Sequence, residues 1–210
     1  MKNAMSEYKT FGAAYTFLNE RLFHEDLPAS CMITLNRRGN YDGYFGPGHF
    51  VSRVSSPVVI LDEIAINSDR FASRGDEEIL SILGHQMVHA WVHYYSRKRS
   101  RPTYHGQQWA NKMEQIGLMP SSTGQPDGER TGQKVEHYII EGGCFQVTST
   151  EFLDGAVLEW NSLPDAKKTP ASKVKYTCPV PACQQNAWAK EFASLICGHC
   201  NVQMMAQQSE

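Results

Sequence analysis

An apolar run with two histidines inside it, residues 79–95, constrains the fold of this chain more than any other feature. His85 and His89 are four residues apart, so on a helix both imidazoles project from one face, about one turn apart. Two neutral imidazoles on a rigid helix supply half of a tetrahedral zinc site. The run therefore predicts a helix over residues 76–95 that presents a metal-binding face.

A third ligand has to come from outside that helical turn, because a catalytic zinc has three protein ligands and one open position. His93 continues the spacing, but three turns of one straight helix spread the nitrogens too far apart to close on one ion. His105 opens a second predicted helix, residues 107–115, which can fold back over the first. We predict His85, His89 and His105 as the ligands. His93 is expected either to contact the ligands without binding the metal or to face solvent. The alternative is a purely structural pair, since this spacing is common by chance.

Four of the six cysteines form two close pairs in the last fifth of the chain: Cys178, Cys183, Cys197 and Cys200. Gly198 permits the tight turn that lets the thiolates of the second pair face one ion. Paired knuckles of this kind predict a β zinc ribbon over residues 175–210, after a linker at residues 161–174. A domain this short depends on its metal for folding. Disulfides or free thiols are the alternative, which the expected reducing compartment disfavours.

Composition and hydrophobic pattern predict an α+β first domain over residues 1–160. Hydrophobic residues make up 41% of the chain, enough for a sizeable core, and the net charge of −2 requires any polyanion to bind at local patches. No stretch is long enough to span a membrane, so a soluble cytoplasmic chain without a membrane partner is expected. The predicted helices cover residues 8–22, 76–95 and 107–115. The predicted strands cover residues 31–35, 43–50, 57–61, 135–140, 144–148 and 156–160, with a turn ending residues 62–67 and a long loop at residues 119–133.

Two basic regions are candidates for contact with nucleic acid. The denser one follows the histidine helix directly and contains Arg97, Lys98, Arg99 and Arg101. In the predicted ribbon, Trp188 and Lys190 combine a ring that can stack on a base with a charge that can pair with phosphate. The alternative is a solvated basic face with Trp188 in the small core of the ribbon, and the residues by themselves favour the core position for Trp188.

Two motifs together resemble the SprT-like (Spartan-type) zinc metalloproteases. They are His85-Gln86-Met87-Val88-His89 and the later Tyr104-His105-Gly106 with Trp109. Residues 43–45 and 57–61 upstream and the cysteine ribbon downstream extend the resemblance over most of the chain. The resemblance implies a zincin-like metalloprotease domain with helices packed on a small sheet, two zinc ions, and degradation of proteins bound or crosslinked to DNA, single-stranded or junction-containing. It implies a nucleoid-associated location, or a nuclear one in a eukaryote.

Gln86 departs from the family pattern. The family has a glutamate here, which takes a proton from the zinc-bound water, whereas an amide has nearly the same shape and cannot take a proton. Either an engineered substitution or a natural pseudoprotease explains Gln86, and the isosteric exchange favours the first. The chain as written is therefore predicted to be an inactivated zinc metalloendopeptidase of the HExxH type, or else a non-catalytic zinc-stabilised DNA-binding module. Tyr104 or His137 can assist an oxyanion, although packed or hydrogen-bonded roles are the stronger expectation for both.

Overall fold

A computed structural model of the protein describes residues 5–37, 39–54, 56–96, 104–159 and 173–207. Helices and strands both contribute, so the fold class is α+β, as the sequence predicts. The chain divides into two compact units, Met1–Leu163 and Pro164–Glu210. Most of the predicted linker at residues 161–174 lies outside the described residues, so its limits stay a prediction. Among the described helices, none is both long enough and apolar enough to cross a membrane.

The first unit has four helices and five strands within its described residues. The helices are α1 (Met5–Phe23), α2 (Asp76–Tyr95), α3 (Gln107–Gln115) and α4 (Cys144–Leu153). The strands are β1 (Met32–Asn36), β2 (Gly43–Val51), β3 (Ile60–Asn67), β4 (Leu118–Ser121) and β5 (Glu136–Ile139). A 3-10 helix, Ser68–Ser73, precedes α2. The three predicted helices are confirmed.

Helix α2 passes through the core of this unit. Its buried residues include Ile79 through Val88 and Ala90, so almost every face of the helix is covered, as expected for a helix that is apolar all round. The apolar positions that predicted α1 are all buried: Phe11, Ala14, Tyr15, Leu18 and Leu22. Because α2 is packed on almost all sides, the backbone that carries His85 and His89 is held rigidly.

A three-stranded sheet lies beside α2 in the order β1-β3-β2, with β1 parallel and β2 antiparallel to the central strand. The predicted third strand at residues 57–61, with a turn by residue 67, is wrong in position. Val58 and Val59 are exposed, and the strand runs on through the charged residue Glu63 to Asn67. The prediction followed the apolar run at residues 57–61. It missed the rest of the strand because Glu63 interrupts the apolar pattern there, and the burial of Glu63 depends on hydrogen bonds from other strands.

Those hydrogen bonds to Glu63 come from three side chains. Thr34 Oγ1 donates at 2.6 Å, Tyr44 Oη donates at 2.7 Å, and His49 Nδ1 lies 3.0 Å from the carboxylate. Burial by itself raises the pKa of Glu63, but the hydrogen bonds from Thr34, His49 and Tyr44 outweigh it and leave the pKa below its ordinary value. A charged residue is thus satisfied at the middle of the central strand.

Helix α4 corrects the prediction of a strand at residues 144–148. Its buried residues are Phe145, Thr148 and Ser149, which follow the helical spacing of three and four. Two of the three are polar, so a search for apolar periodicity does not find them. A Cβ atom added at Gly84 of α2 would lie 3.0 Å from the Phe145 ring, which shows how closely the two helices approach. The predicted strand at residues 156–160 is absent from its described part, residues 156–159.

The predicted long loop at residues 119–133 is shorter than expected, because β4 covers its first part and pairs antiparallel with β5. The remaining connection is held by internal hydrogen bonds: Ser122 N–H donates to Glu129 O at 2.9 Å, and Glu129 N–H donates to Ser122 Oγ at 3.0 Å. The connection therefore has a defined path from one strand of the hairpin to the other.

The second unit contains a three-stranded antiparallel sheet, β7-β6-β8, formed by β6 (Val174–Thr177), β7 (Asn186–Ala189) and β8 (Met205–Ala206). Within residues 173–207, its buried centre consists of Tyr176, Cys178, Cys197 and Met204. Trp188 is 61% exposed, so the expectation of a ribbon core around Trp188 is wrong. The cysteines, and not the tryptophan, occupy the centre of this unit.

Candidate metal centre

Three histidine side chains converge at one point of the first unit. The Nε2 atom of His89 lies 3.2 Å from that of His85 and 3.1 Å from that of His105, and the remaining pair is 3.3 Å apart. The three residues form a cluster whose ligand atoms all lie within 4.8 Å of one another. The structure therefore brings together the three histidines that the sequence singled out.

The spacing of these nitrogens fits a metal ion. Nitrogen ligands about 2.0 Å from a tetrahedral zinc ion lie about 3.3 Å from one another, close to the observed separations. His105 Nδ1 lies 3.3 Å from Gly132 O, and because a carbonyl oxygen only accepts, Nδ1 carries the proton and Nε2 has a free lone pair. Lone pairs facing one another at this distance repel, and a bound cation removes that repulsion.

Backbone pairing with the β4–β5 connection positions His105. The N–H of His105 donates to Gly132 O at 2.8 Å, and the N–H of Gly132 donates to His105 O at 3.0 Å. Trp109, in the first turn of α3, packs its ring against all three imidazoles, with centroid distances of 4.9 Å to His85, 5.5 Å to His89 and 4.3 Å to His105. The third histidine is thus held from its backbone and from one side of its ring.

His137, on β5, also contacts the cluster. Its Nδ1 atom lies 3.1 Å from His85 Nδ1, and its Nε2 atom lies 2.8 Å from Ser81 Oγ. Both ring nitrogens of His137 are therefore occupied, which leaves neither for the oxyanion role considered from the sequence. Tyr104 is 44% exposed and His93 is exposed on the last turn of α2. Sequence spacing offered no signal for His137, which is 52 residues from His85.

The side chain of Gln86, on α2, lies against Gly43, the first residue of β2. A Cβ atom added at Gly43 would lie 3.3 Å from Gln86 Cγ and 3.4 Å from Gln86 Nε2, and only 2.6 Å from Ala65 O. Glycine at position 43 therefore lets the strand pass directly against the Gln86 side chain. The Gln86 amide can donate and accept hydrogen bonds at this position, but it cannot take up a proton near neutral pH.

The four cysteines of the second unit form the other candidate metal site. Cys178, Cys183, Cys197 and Cys200 have their sulfurs within 4.8 Å of one another, and Cys183 Sγ lies 3.8 Å from Cys197 Sγ. Thiolates about 2.3 Å from a tetrahedral zinc lie about 3.8 Å apart, so the spacing fits. Hydrogen bonds from the backbone N–H groups of Cys200 and His199 lower the pKa of Cys197 to about 7, which favours the thiolate form of Cys197. The hydrogen bond to Cys183, together with burial, raises the pKa of Cys200 to about 12.

Residues 13–131, more than half of the chain, match the SprT-like family. The chain belongs to the SprT-like family. No curated protein and no solved structure matches it. Family membership indicates a metalloprotease-type function, and the histidine and cysteine clusters of this SprT-like chain can both hold metal ions.

The residues predicted to contact DNA divide into two groups. Arg97, Lys98, Arg99 and Arg101 lie outside the described residues. In the second unit of this SprT-like chain, Trp188 and Lys190 are exposed, and Lys175 pairs with Trp188 across the sheet. An aromatic ring and basic side chains therefore share one surface of the ribbon.

The metal-free histidine cluster makes the stability of the SprT-like chain depend on pH. Burial lowers the pKa of His89 to about 3, helped by the charge of His105, and burial lowers the pKa of His137 to about 4, helped by Arg74. Burial also lowers the pKa values of His85 and His105. The unfolded chain, with histidine pKa values of about 6.5, binds more protons than the folded chain, so stability falls as the pH falls.

We therefore expect the thermal midpoint of the metal-free protein to drop as the pH is lowered from about 6.5 towards about 4, a window set by the unfolded and folded histidine pKa values. Calorimetry in chelator at several pH values measures this directly. The interval from about 6.5 to about 5 separates histidines from most carboxylates, whose ordinary pKa values are about 4. A constant midpoint over that interval would contradict the expectation.

Proposed function

We propose that this chain is a zinc-dependent metalloendopeptidase of the HExxH type, with a zincin-like arrangement, which degrades proteins bound or crosslinked to DNA and is catalytically blocked here by Gln86. The observation that carries the proposal is the convergence of three Nε2 atoms 3.1–3.3 Å apart. Gln86 directly follows the first of these histidines in the sequence. The match to the SprT-like family supports the same reaction class.

Each residue has a defined role in this proposal. His85, His89 and His105 would hold the zinc ion through Nε2. A zinc ion bound there would polarise the scissile carbonyl and lower the pKa of a bound water. A glutamate at position 86 would take the proton of that water and return it to the leaving amine, whereas the Gln86 amide can only orient the water by hydrogen bonding.

The proposed DNA partner rests on the ribbon surface with Trp188, Lys175 and Lys190. Single-stranded nucleic acid binds where aromatic rings stack on bases and nearby cations pair with phosphates. The exposed ring of Trp188 would stack on a base, and Lys175, its neighbour across the sheet, would pair with a phosphate. The cysteine cluster would hold a second zinc ion that keeps this sheet folded.

A second candidate function is a non-catalytic zinc-stabilised DNA-binding module. Gln86 is the specific observation that favours it, because this residue removes the base and keeps the ligands. In that case the histidine-bound zinc ion would serve only to stabilise the fold.

Restoring the base tests the two functions against each other. The Gln86→Glu variant, loaded with zinc, is incubated with a DNA-binding protein in the presence and absence of single-stranded DNA, and cleavage is followed by electrophoresis. We expect cleavage that depends on DNA, at a rate about 10²- to 10⁴-fold above that of the unmodified chain, the usual contribution of a general base.

Two controls accompany this experiment. The double variant Gln86→Glu/His105→Ala has the base without the third ligand and should not cleave. Binding to DNA should weaken steeply from low to moderate salt, since phosphate contacts release counterions. If the zinc-loaded Gln86→Glu variant leaves the substrate intact, the enzyme function is excluded and the binding module remains.

A further inference from the structure

We propose that His137 is a positioning residue for the metal site, which holds the ring of His85 through a hydrogen bond and thereby increases metal affinity. This inference rests on the metal site of the proposed function. His137 and Gly132 both follow the region matched to the SprT-like family, which ends at residue 131.

A continuous series of hydrogen bonds runs from His85 to the backbone of α2. His85 Nδ1 lies 3.1 Å from His137 Nδ1, and His137 Nε2 lies 2.8 Å from Ser81 Oγ. Ser81 Oγ donates to Glu78 O at 2.7 Å. Ser81 is 4% exposed and His85 is 9% exposed, and His137 between them is partly buried.

The donor and the acceptor of every hydrogen bond in this series follow from the chemistry of the groups. A metal bound to His85 Nε2 leaves the proton on Nδ1, so that nitrogen donates to His137 Nδ1. His137 then carries its own proton on Nε2 and donates to Ser81 Oγ. The hydroxyl proton of Ser81 is free for the Glu78 carbonyl, which only accepts. His137 and Ser81 therefore each accept one hydrogen bond and donate one, so donors and acceptors match throughout the series.

The hairpin formed by β4 and β5 therefore contacts two of the three ligands. His137 accepts from Nδ1 of His85, and Gly132, in the connection between the strands, accepts from Nδ1 of His105. Partners of this kind hold a metal-bound imidazole in its tautomer and orientation. The hairpin therefore holds the rings of His85 and His105 so that their Nε2 atoms point to the same place before a metal binds.

Leucine and asparagine at position 137 separate hydrogen bonding from packing. The two side chains have the same branched shape, but only asparagine has an oxygen, Oδ1, near the place of His137 Nδ1. If His137 serves only to fill space, the two variants behave alike. If His137 orients His85, the His137→Asn variant retains most of the affinity that the His137→Leu variant loses.

The experiment measures Co²⁺ and Zn²⁺ affinity of the full chain by competition with a chelator. We expect His137→Leu to lower affinity at the histidine site about 10- to 100-fold, the usual effect of losing a partner of a ligand, and to change the cobalt d–d spectrum. His137→Asn should restore most of the affinity and the spectrum. The thiolate-to-cobalt charge-transfer band arises from the cysteine site and serves as an internal reference. His93→Leu, at an exposed histidine of α2, is the matched control.

A second measurement uses the unsubstituted protein, so it does not depend on how the variants fold. Nitrogen-15 spectra of the zinc-loaded chain report the tautomer of each histidine, and we expect His137 to be neutral with its proton on Nε2. A proton on Nδ1 of His137 would overturn the proposal. Equal affinities of the His137→Leu variant and the unsubstituted chain would overturn it as well. If the unsubstituted chain binds no metal at the histidines, the proposed function itself fails, which is a different result.

Discussion

Replacing His105 with alanine is expected to remove one of two zinc ions from each chain. His105 contributes one corner of a triangle of nitrogens whose sides are 3.1–3.3 Å, and the two histidines of α2 cannot complete a three-ligand site without it. Loss of a partner of a ligand typically lowers metal affinity about 10- to 100-fold, so loss of a ligand itself should lower it by more than about 100-fold.

Zinc content per chain after dialysis against a weak chelator measures this effect. His93→Ala is the matched control, since His93 continues the same helical spacing but is exposed and packs against the ring of Phe45. The backbone bridge from residue 105 to Gly132 does not involve the side chain, so the circular dichroism of the His105→Ala variant should be unchanged. Full zinc content in that variant, or a loss of zinc in the His93→Ala variant, would refute the assignment of ligands.

Substituting Cys197 with serine is expected to unfold the second unit and leave the first unit folded. Among the described residues of the second unit, residues 173–207, the buried centre has four members, Tyr176, Cys178, Cys197 and Met204, and two of these are cysteines of the metal cluster. An apolar centre of this size cannot offset the conformational entropy of the chain, whereas zinc bound to four thiolates contributes about 10–16 kcal/mol at neutral pH in small zinc domains.

Hydrogen–deuterium exchange with mass spectrometry shows which segments of the Cys197→Ser variant have lost their structure. Peptides within residues 174–207 should exchange at the rate of an unfolded chain, while peptides from α2 keep their protection. Cys144→Ser is the matched control, because Cys144 is exposed at the start of α4 and does not belong to the metal cluster. Persistent protection of residues 174–207 in the Cys197→Ser variant would mean that the unit folds without its metal.

Prediction from the sequence succeeded where the relevant geometry is local. The helical repeat places His85 and His89 on one face whatever the rest of the chain does, and α2 has the predicted bounds. The paired cysteines are similarly local, because a tight turn brings each pair to one side of the backbone. The likeness to the SprT-like family was also visible in the motifs, and the family match confirms it.

Errors arose where burial depends on distant partners. Helix α4 buries Thr148 and Ser149, and the hydroxyl of Ser149 donates to Glu77 Oε1 at 2.9 Å, so its inner face does not look apolar. Strand β3 contains Glu63, which is satisfied only because Thr34 and Tyr44 come from other strands. A hydrophobic pattern detects apolar burial and is blind to polar groups whose partners are remote in the chain.

The sequence by itself determined the pair of histidines on α2, the paired cysteines and the residue at position 86, since each depends only on identity and short spacing. Only the tertiary structure decided that His137 lies against His85 and that Gly132 holds His105, across separations of 52 and 27 residues. Helical and turn geometry repeat over a few residues and can be read directly. Contacts between remote segments depend on how the whole core packs, which no local spacing encodes.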